Sequence, residues 1–289
     1  MANFILSAFS DECGEASLSG QIAACKANGI THMELRGFGK ALNINTLSAS
    51  QAKEMKRELD DSGMLVGSIG SGYGKINIKD DFASHFEAFK RTVEVANILA
   101  APYIRLFSFY FEADDDYALQ RGRVLEQVQT MADYAHANGV LACHENEKGI
   151  YGDTADRCLD LLRNCSHLRG VFDPANFVQC GEDTLRAFEL LEPYTEYLHM
   201  KDALFADSSV VPVGKGDGNV KAILSAAAKR TGDVMLTLEP HLQVFDGLQN
   251  LETGGETRRA MPKGAYESHA ASFKAASDAL HALLVEICA

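Results

Sequence analysis

Short runs of consecutive apolar residues alternate along this chain with longer stretches in which apolar residues recur every third or fourth position. The short runs, at 4–9, 32–36, 64–69, 103–107, 141–145, 168–172, 197–200 and 234–238, read as strands buried on both faces. The longer stretches, at 17–28, 48–62, 82–99, 117–137, 155–163, 184–191, 220–230 and 269–287, read as helices. Stop signals support several ends: Asn28-Gly29, Ser62-Gly63 and Asn138-Gly139 suit helix C-caps, and Asp153 or Thr154 suits the N-cap of 155–163. Eight strand–helix units without a linker imply a parallel sheet with right-handed crossovers. At this length they predict an α/β fold, a single (β/α)8 TIM barrel filling one domain, 1–289. An open doubly wound sheet is the rival. It usually carries G-x-G-x-x-G after the first strand, and Ser10-Asp-Glu-Cys-Gly14 does not match. One connection stands out: 242–268 is too long for a plain loop. With Arg258, Arg259 and Lys263 it reads either as a lid bringing positive charge over a site or as a contact between copies of the chain.

Composition narrows the class. The 289 residues are 46% hydrophobic and 23% charged, which suits a large soluble core. A net charge of −13 argues against nonspecific nucleic-acid or anionic-membrane binding, and it leaves a small-molecule site open. Seven cysteines in scattered positions with no C-x-x-C read as reduced, mostly buried thiols. The start of the sequence has no basic segment before a long apolar run, and no stretch reaches 18 apolar residues. A cytoplasmic protein without a membrane span is expected.

The chemistry is concentrated at strand ends. The run His144-Glu145-Asn146-Glu147-Lys148 follows an apolar strand and cannot all be core, because each unpaired buried polar group costs about 1–3 kcal/mol. In a barrel the active site lies where the strands end. Strand 5 ends with Glu145, strand 6 with Asp173, strand 7 with His199 and strand 8 with Glu239. The separations are 28, 26 and 40 residues, each one strand–helix unit, so only the repeat reveals the set. Two Glu, one Asp and one His suit a divalent ion such as Mn²⁺, Mg²⁺, Co²⁺ or Zn²⁺. Without a cation the three carboxylates would repel one another. The plainer alternative is that some of these residues are helix N-caps. Glu34, Arg105, His144, Lys201 and His241 are candidate substrate contacts. Of these, Glu34 and Arg105 could equally be a solvated rim, and His144 could equally support its neighbours. Glu147 and Lys148 either pair or face substrate, and Asp202 either reaches the pocket or is solvated. Gly214, Gly216 and Gly218 suggest a phosphate loop or, more simply, a flexible loop with Lys215.

These residues resemble the xylose isomerase-like superfamily, in particular its sugar phosphate isomerase/epimerase group. The matching stretches are His-Glu-Asn-Glu-Lys-Gly-Ile-Tyr-Gly-Asp at 144–153, Phe-Asp-Pro-Ala-Asn-Phe at 172–177, Leu-His-Met-Lys-Asp at 198–202, Gly-Lys-Gly-Asp-Gly at 214–218 and Leu-Glu-Pro-His at 238–241. The resemblance implies one divalent metal ion, Mn²⁺ first, held by Glu145, Asp173, His199 and Glu239. It also implies Glu145 and Glu239 as acid and base on opposite faces of a sugar, with an enediolate intermediate. The expected function is a metal-dependent isomerase or epimerase. A lyase using the same chemistry on a keto-inositol or 3-keto-glycoside is the alternative. A DNA-repair endonuclease fits poorly with the acidic charge and the few strand-end histidines, and retention of all four donors argues against a barrel that has lost catalysis. The strand-5 neighbourhood, with His144, Glu147 and Lys148, is more charged than in the ketose 3-epimerases and leaves the substrate open. The expected partners are a small carbohydrate and further copies of this chain, as a dimer or tetramer, with neither nucleic acid nor membrane.

Overall fold

The computed structural model describes residues 2–40, 42–112, 115–244 and 265–288. Eight parallel strands close into a barrel: β1 (Asn3–Phe9), β2 (His32–Leu35), β3 (Leu65–Ile69), β4 (Tyr103–Leu106), β5 (Leu141–Glu145), β6 (Leu168–Phe172), β7 (Thr195–Met200) and β8 (Asp233–Leu238). Each strand pairs with its neighbours in sequence. β1 closes the ring against β8, in register from Asn3 opposite Asp233 to Ala8 opposite Leu238. The helices that cover it are α1 (Leu18–Ala27), α2 (Ala49–Ser62), α3 (Phe82–Leu99), α4 (Tyr117–Ala137), α5 (Ala155–Asn164), α6 (Thr184–Leu191), α7 (Val220–Ala227) and α8 (His269–Cys288). This is the predicted single (β/α)8 barrel.

Local chemistry sets the helix ends. Ser48 and Gln51 form a capping box at the start of α2, each side chain accepting from the other's backbone N–H. Between the two candidate caps of α5, Thr154 is the one used: its hydroxyl accepts from the Arg157 N–H, while Asp153 pairs with the Arg157 guanidinium. Gly63 ends α2 at φ 70°, a conformation that favours glycine.

Alternation along the strands divides two apolar regions. In β5, Ala142 belongs to the large core between barrel and helices, with Val128, Leu161, Phe188 and Leu224. Cys143 belongs to a small separate cluster with Val171, Tyr197 and Met235, backed by Ile5, Tyr103 and Leu141. That cluster packs in the lower lumen, where Tyr103 and Tyr197 stack at 5.6 Å, below the strand ends that carry the site. Several small elements lie in regions the pattern reads as loop. Gly37–Phe38 pairs with Leu42–Asn43, Asp202–Ala203 pairs with Val210–Val211, and Pro174–Gln179 forms a short helix. Two-residue strands contain no alternation to read. Five of the seven cysteines are buried, Cys180 is partly buried and Cys288 exposed, and all are free thiols. Among the described residues no helix is long and apolar enough to cross a membrane. Most of the predicted 242–268 loop, with Arg258, Arg259 and Lys263, lies outside the described residues.

Candidate metal centre and active-site pocket

The four strand-end residues converge. Glu145 closes β5, Asp173 follows β6, His199 lies near the end of β7 and Glu239 follows β8. One donor atom from each lies within 4.8 Å of all the others, and all four side chains are buried. His199 directs Nδ1 at the centre, 3.1 Å from Glu145 Oε1, 3.4 Å from Glu239 Oε2 and 3.9 Å from Asp173 Oδ2. Asp173 has both of the roles weighed for it. Its Oδ1 caps the helix Pro174–Gln179 by accepting from the Asn176 N–H, while its Oδ2 faces the cluster. Asn146 holds this geometry by exchanging two 2.9 Å hydrogen bonds with the Asp173 backbone, and Asn176 donates to Glu145 Oε1 at 3.2 Å.

Three buried cations lean on these carboxylates. Arg105 Nη1 is 3.0 Å from Glu145 Oε2 and 3.7 Å from Glu239 Oε1, with its other nitrogens donating to the carbonyls of Gly70 and Ser71. Lys201 Nζ is 2.8 Å from Asp173 Oδ2 and 3.0 Å from Glu239 Oε2. Arg36 grips Asp11 with two nitrogens and also reaches Glu12 at 3.0 Å and Glu239 Oε1 at 3.1 Å. Sequence reasoning passed over Arg36, Asp11 and Glu12 as site residues. They end strands 2 and 1, so the strand-end rule that found the other four could have named them.

Charge state follows from this packing. Burial works against ionisation of Glu145, but His199 and Arg105 outweigh it and hold its pKa below the usual value. Burial is likewise outweighed at Glu239, chiefly by Lys201 and then His241, which hold it well below. Asp173 goes the other way: burial, with Glu145 and Glu239 adding to it against the opposing pull of Lys201, pushes it up to about 6. The Glu145 and Glu34 carboxylates overcome burial to raise His199 well above an ordinary imidazole.

A divalent cation fits this arrangement. Glu145 Oε2 and Asp173 Oδ2 are buried oxygens that accept no aligned hydrogen bond, although Arg105 and Lys201 lie within ion-pair distance of them. Three carboxylates and one imidazole nitrogen are a hard donor set suited to such an ion. The repulsion from Glu145 and Glu239, which adds to burial in lifting Asp173, is what a cation would relieve.

The remaining candidates separate cleanly. Lys201, Arg105 and His241 line a narrow cleft above the cluster. Glu34 is fully buried below it: Oε2 meets His199 Nε2 at 3.3 Å, and Oε1 accepts from the Tyr197 hydroxyl at 3.1 Å. It therefore orients a donor rather than forming a rim. His144 points out of the lumen toward α5, with Nε2 2.9 Å from the Ser108 hydroxyl, and burial lowers its pKa to about 4. The structure thus does not bring it to the pocket. The glycine loop holds no open anion cradle. The N–H groups of Gly214, Gly216 and Gly218 donate to the Asp202 carboxylate at 2.9–3.0 Å, and a Cβ at Gly218 would lie 2.6 Å from Asp202 Oδ1. Glu147 pairs with Lys148, as one reading had it, and also with Lys75.

Fold and site define a barrel with a buried acidic–histidine cluster at the mouth, suited to a divalent metal ion. The chain belongs to the xylose isomerase-like TIM barrel family, whose pattern it matches over residues 22–261. It is 23% identical over 230 residues to a 3-dehydroshikimate dehydratase of Bacillus anthracis, covering 78% of this chain and 75% of that protein. Among solved structures it resembles the IOLI protein with a binding zinc atom, with a TM-score of 0.77, 12% identity and coverage of 98% and 99% of the two chains. It also resembles D-psicose 3-epimerase with D-tagatose from Clostridium cellulolyticum H10, with a TM-score of 0.72, 17% identity and 99% coverage of each. The family includes both epimerases and dehydratases.

Proposed function

We propose that this chain is a divalent-metal-dependent isomerase or epimerase that moves a proton at the carbon next to the carbonyl of a sugar or sugar derivative. The observation that carries the reading is the convergence of Glu145, Asp173, His199 and Glu239, buried and within 4.8 Å, beneath the cleft at the C-terminal ends of the strands. Glu145, Asp173, His199 and Glu239 would hold the divalent ion, Mn²⁺ by first choice, which would supply Lewis acidity beside the substrate carbonyl. Glu145 and Glu239 approach Arg105 Nη1 from separate strands, and both are held ionised at neutral pH. One removes the proton and keeps it; the other, after taking up a proton from solvent, delivers that proton to the opposite face. Lys201 and Arg105 present donors to the pocket and orient the substrate's oxygens.

A dehydratase is the second reading. It is favoured by the similarity to the Bacillus anthracis dehydratase and by Lys201, whose ammonium beside Glu239 could protonate a departing hydroxyl as water after a carboxylate takes the neighbouring proton. Incubating ketoses and keto-acids with the metal-loaded protein in D2O separates the two: an isomerase gives an isomer with one hydrogen replaced by deuterium, a dehydratase a product lighter by one water. Glu239→Gln should abolish exchange. Full exchange in that variant overturns the acid–base assignment. A protein that takes up no metal and ignores chelators overturns the whole reading.

A further inference from the structure

Glu239 presents its two oxygens to two different sets of groups. Oε2 belongs with the four-donor cluster, 3.4 Å from His199 Nδ1. Oε1 belongs to a second set. One donor atom each from Glu12, Glu239 and His241 lies within 4.8 Å of the others, and all three side chains are buried. His241 Nε2 is 3.8 Å from Glu12 Oε1 and 4.0 Å from Glu239 Oε1. Glu12 and His241 fix each other: the His241 N–H donates to Glu12 Oε2 at 2.7 Å, and Glu12 Oε1 is the oxygen turned to the set. Two carboxylate oxygens and an imidazole nitrogen are again the donors of a divalent-ion site.

A cation already sits on those oxygens, and it is the chain's own. Arg36 Nη2 is 3.0 Å from Glu12 Oε1, and Nη1 is 3.1 Å from Glu239 Oε1. Arg105 Nη1 comes only to 3.7 Å from the same Glu239 oxygen and pairs more closely with Glu145, at 3.0 Å. The Arg36 guanidinium is fixed where a lysine could swing away. Asp11 grips it through Nε and Nη2 at 2.9 and 3.0 Å, and the centre of the Phe9 ring lies 4.1 Å from its central carbon. An ion bridging Glu12 and Glu239 would compete with these nitrogens for the same two oxygens, and two positive charges at such spacing repel strongly in a buried site.

We propose that Arg36 restricts the centre to one metal ion: its guanidinium fills a second divalent-ion position, made by Glu12 Oε1, Glu239 Oε1 and His241 Nε2, which opens when the guanidinium is removed. The first ion rests on the function proposed above; the second position, whose donors share only Glu239 with the first, does not.

The test is the metal content per chain after equilibrium dialysis against Mn²⁺ or Zn²⁺, together with electron paramagnetic resonance of the Mn²⁺-loaded protein. The parent should hold one ion and give the signal of an isolated Mn²⁺. Arg36→Met should hold two and give the signal of a spin-coupled pair, because Glu239 would bridge them. Arg36→Lys, which keeps a positive charge, should stay at one, and adding Glu12→Gln to Arg36→Met should remove the second ion. Excess metal should also restore the stability that Arg36→Met loses under chelation, since the ion takes over the role of the guanidinium. Two ions in the parent, one ion in folded Arg36→Met, two in the double variant, or an Arg36→Met protein that excess metal fails to stabilise beyond the parent's own gain overturns the proposal. The two readings fail separately. A parent without metal, beside an Arg36→Met variant holding one ion that Glu12→Gln removes, would uphold this position and overturn the proposed function. One ion in the parent and one in Arg36→Met would do the reverse, and no uptake by either protein would overturn both.

Discussion

Asp202→Asn keeps the shape of a side chain and changes only what its tip can accept. In the structure Oδ1 accepts from the N–H groups of Ala203 and Gly218, and Oδ2 from those of Gly214 and Gly216. An asparagine can serve only one of those pairs, and its NH2 must face the other two donors. Each buried donor left without an acceptor costs about 1–3 kcal/mol, so two cost roughly 2–6. The bonds to Gly214 and Gly216 are only partly buried, so water relieves some of this if the amide turns that way, and about 2–4 kcal/mol is the expected loss. For 289 residues, at about 2.1 cal/mol/K of unfolding entropy each, the melting temperature should fall by roughly 3–7 °C. Thermal unfolding followed by circular dichroism measures it. Asp207→Asn, on an exposed residue of the same connection, serves as the control and should stay within about 0.5 kcal/mol of the parent. If the Asp202 variant melts with the control, the glycine loop is not organised by this carboxylate and the reasoning is refuted.

Four further outcomes are expected. Glu34→Gln should weaken metal binding about 10–100-fold in a chelator competition, because it removes the carboxylate behind His199 while keeping an acceptor for Nε2; an unchanged affinity would show that the ring needs no charged partner. Arg36→Met leaves Asp11, Glu12 and Glu239 buried without their guanidinium and should cost about 3–5 kcal/mol in urea unfolding, a loss under about 1 contradicting the pairing. His144 has a folded-state pKa of about 4 against 6.5 for the free group. Above 6.5 neither state is protonated and nothing is lost. As pH falls toward 4 only the unfolded chain takes the proton, and stability drops by about 1.4 kcal/mol per pH unit, roughly 3 in all. The His144→Gln variant should show a correspondingly shallower acid loss, and parallel curves for the two proteins would rule this out. Finally, a divalent metal at 100 times its dissociation constant should add about 2.7 kcal/mol and raise the melting temperature by about 4–5 °C, reversed by chelation.

The barrel was legible because each strand is a short apolar run and each connection a helix, so the repeat itself carries the topology. The convergence of Glu145, Asp173, His199 and Glu239 was legible for the same reason: in a parallel barrel, strand ends share one height. Partnerships were not. Arg36 and Glu239 are 203 positions apart, and a charged residue at a strand end does not announce which opposite charge it will meet. Glu34 was left between substrate contact and solvated rim because β2 has only four residues and its register against β3 shifts between Met33 and Glu34, so alternation cannot say which side faces the lumen. The glycines at 214, 216 and 218 suit any anion; that the anion is the chain's own Asp202 follows from the turn of a two-residue strand the pattern could not show. Lys75 belongs to no strand end at all.

The four donors sit on consecutive hydrogen-bonded strands, β5 through β8, between positions 94 apart in the chain. An ion held by them would act as a cross-link across the second half of the barrel, tying off a long loop in the unfolded chain. The first half supplies Arg36, Arg105 and Lys75 but no donor to the cluster, and so gains only through closure against β8 and β5. Metal loading should therefore make unfolding uneven. Amide exchange should slow most from β5 to β8 and least in β2 and β3, so that the halves of a continuous ring differ in how readily they open.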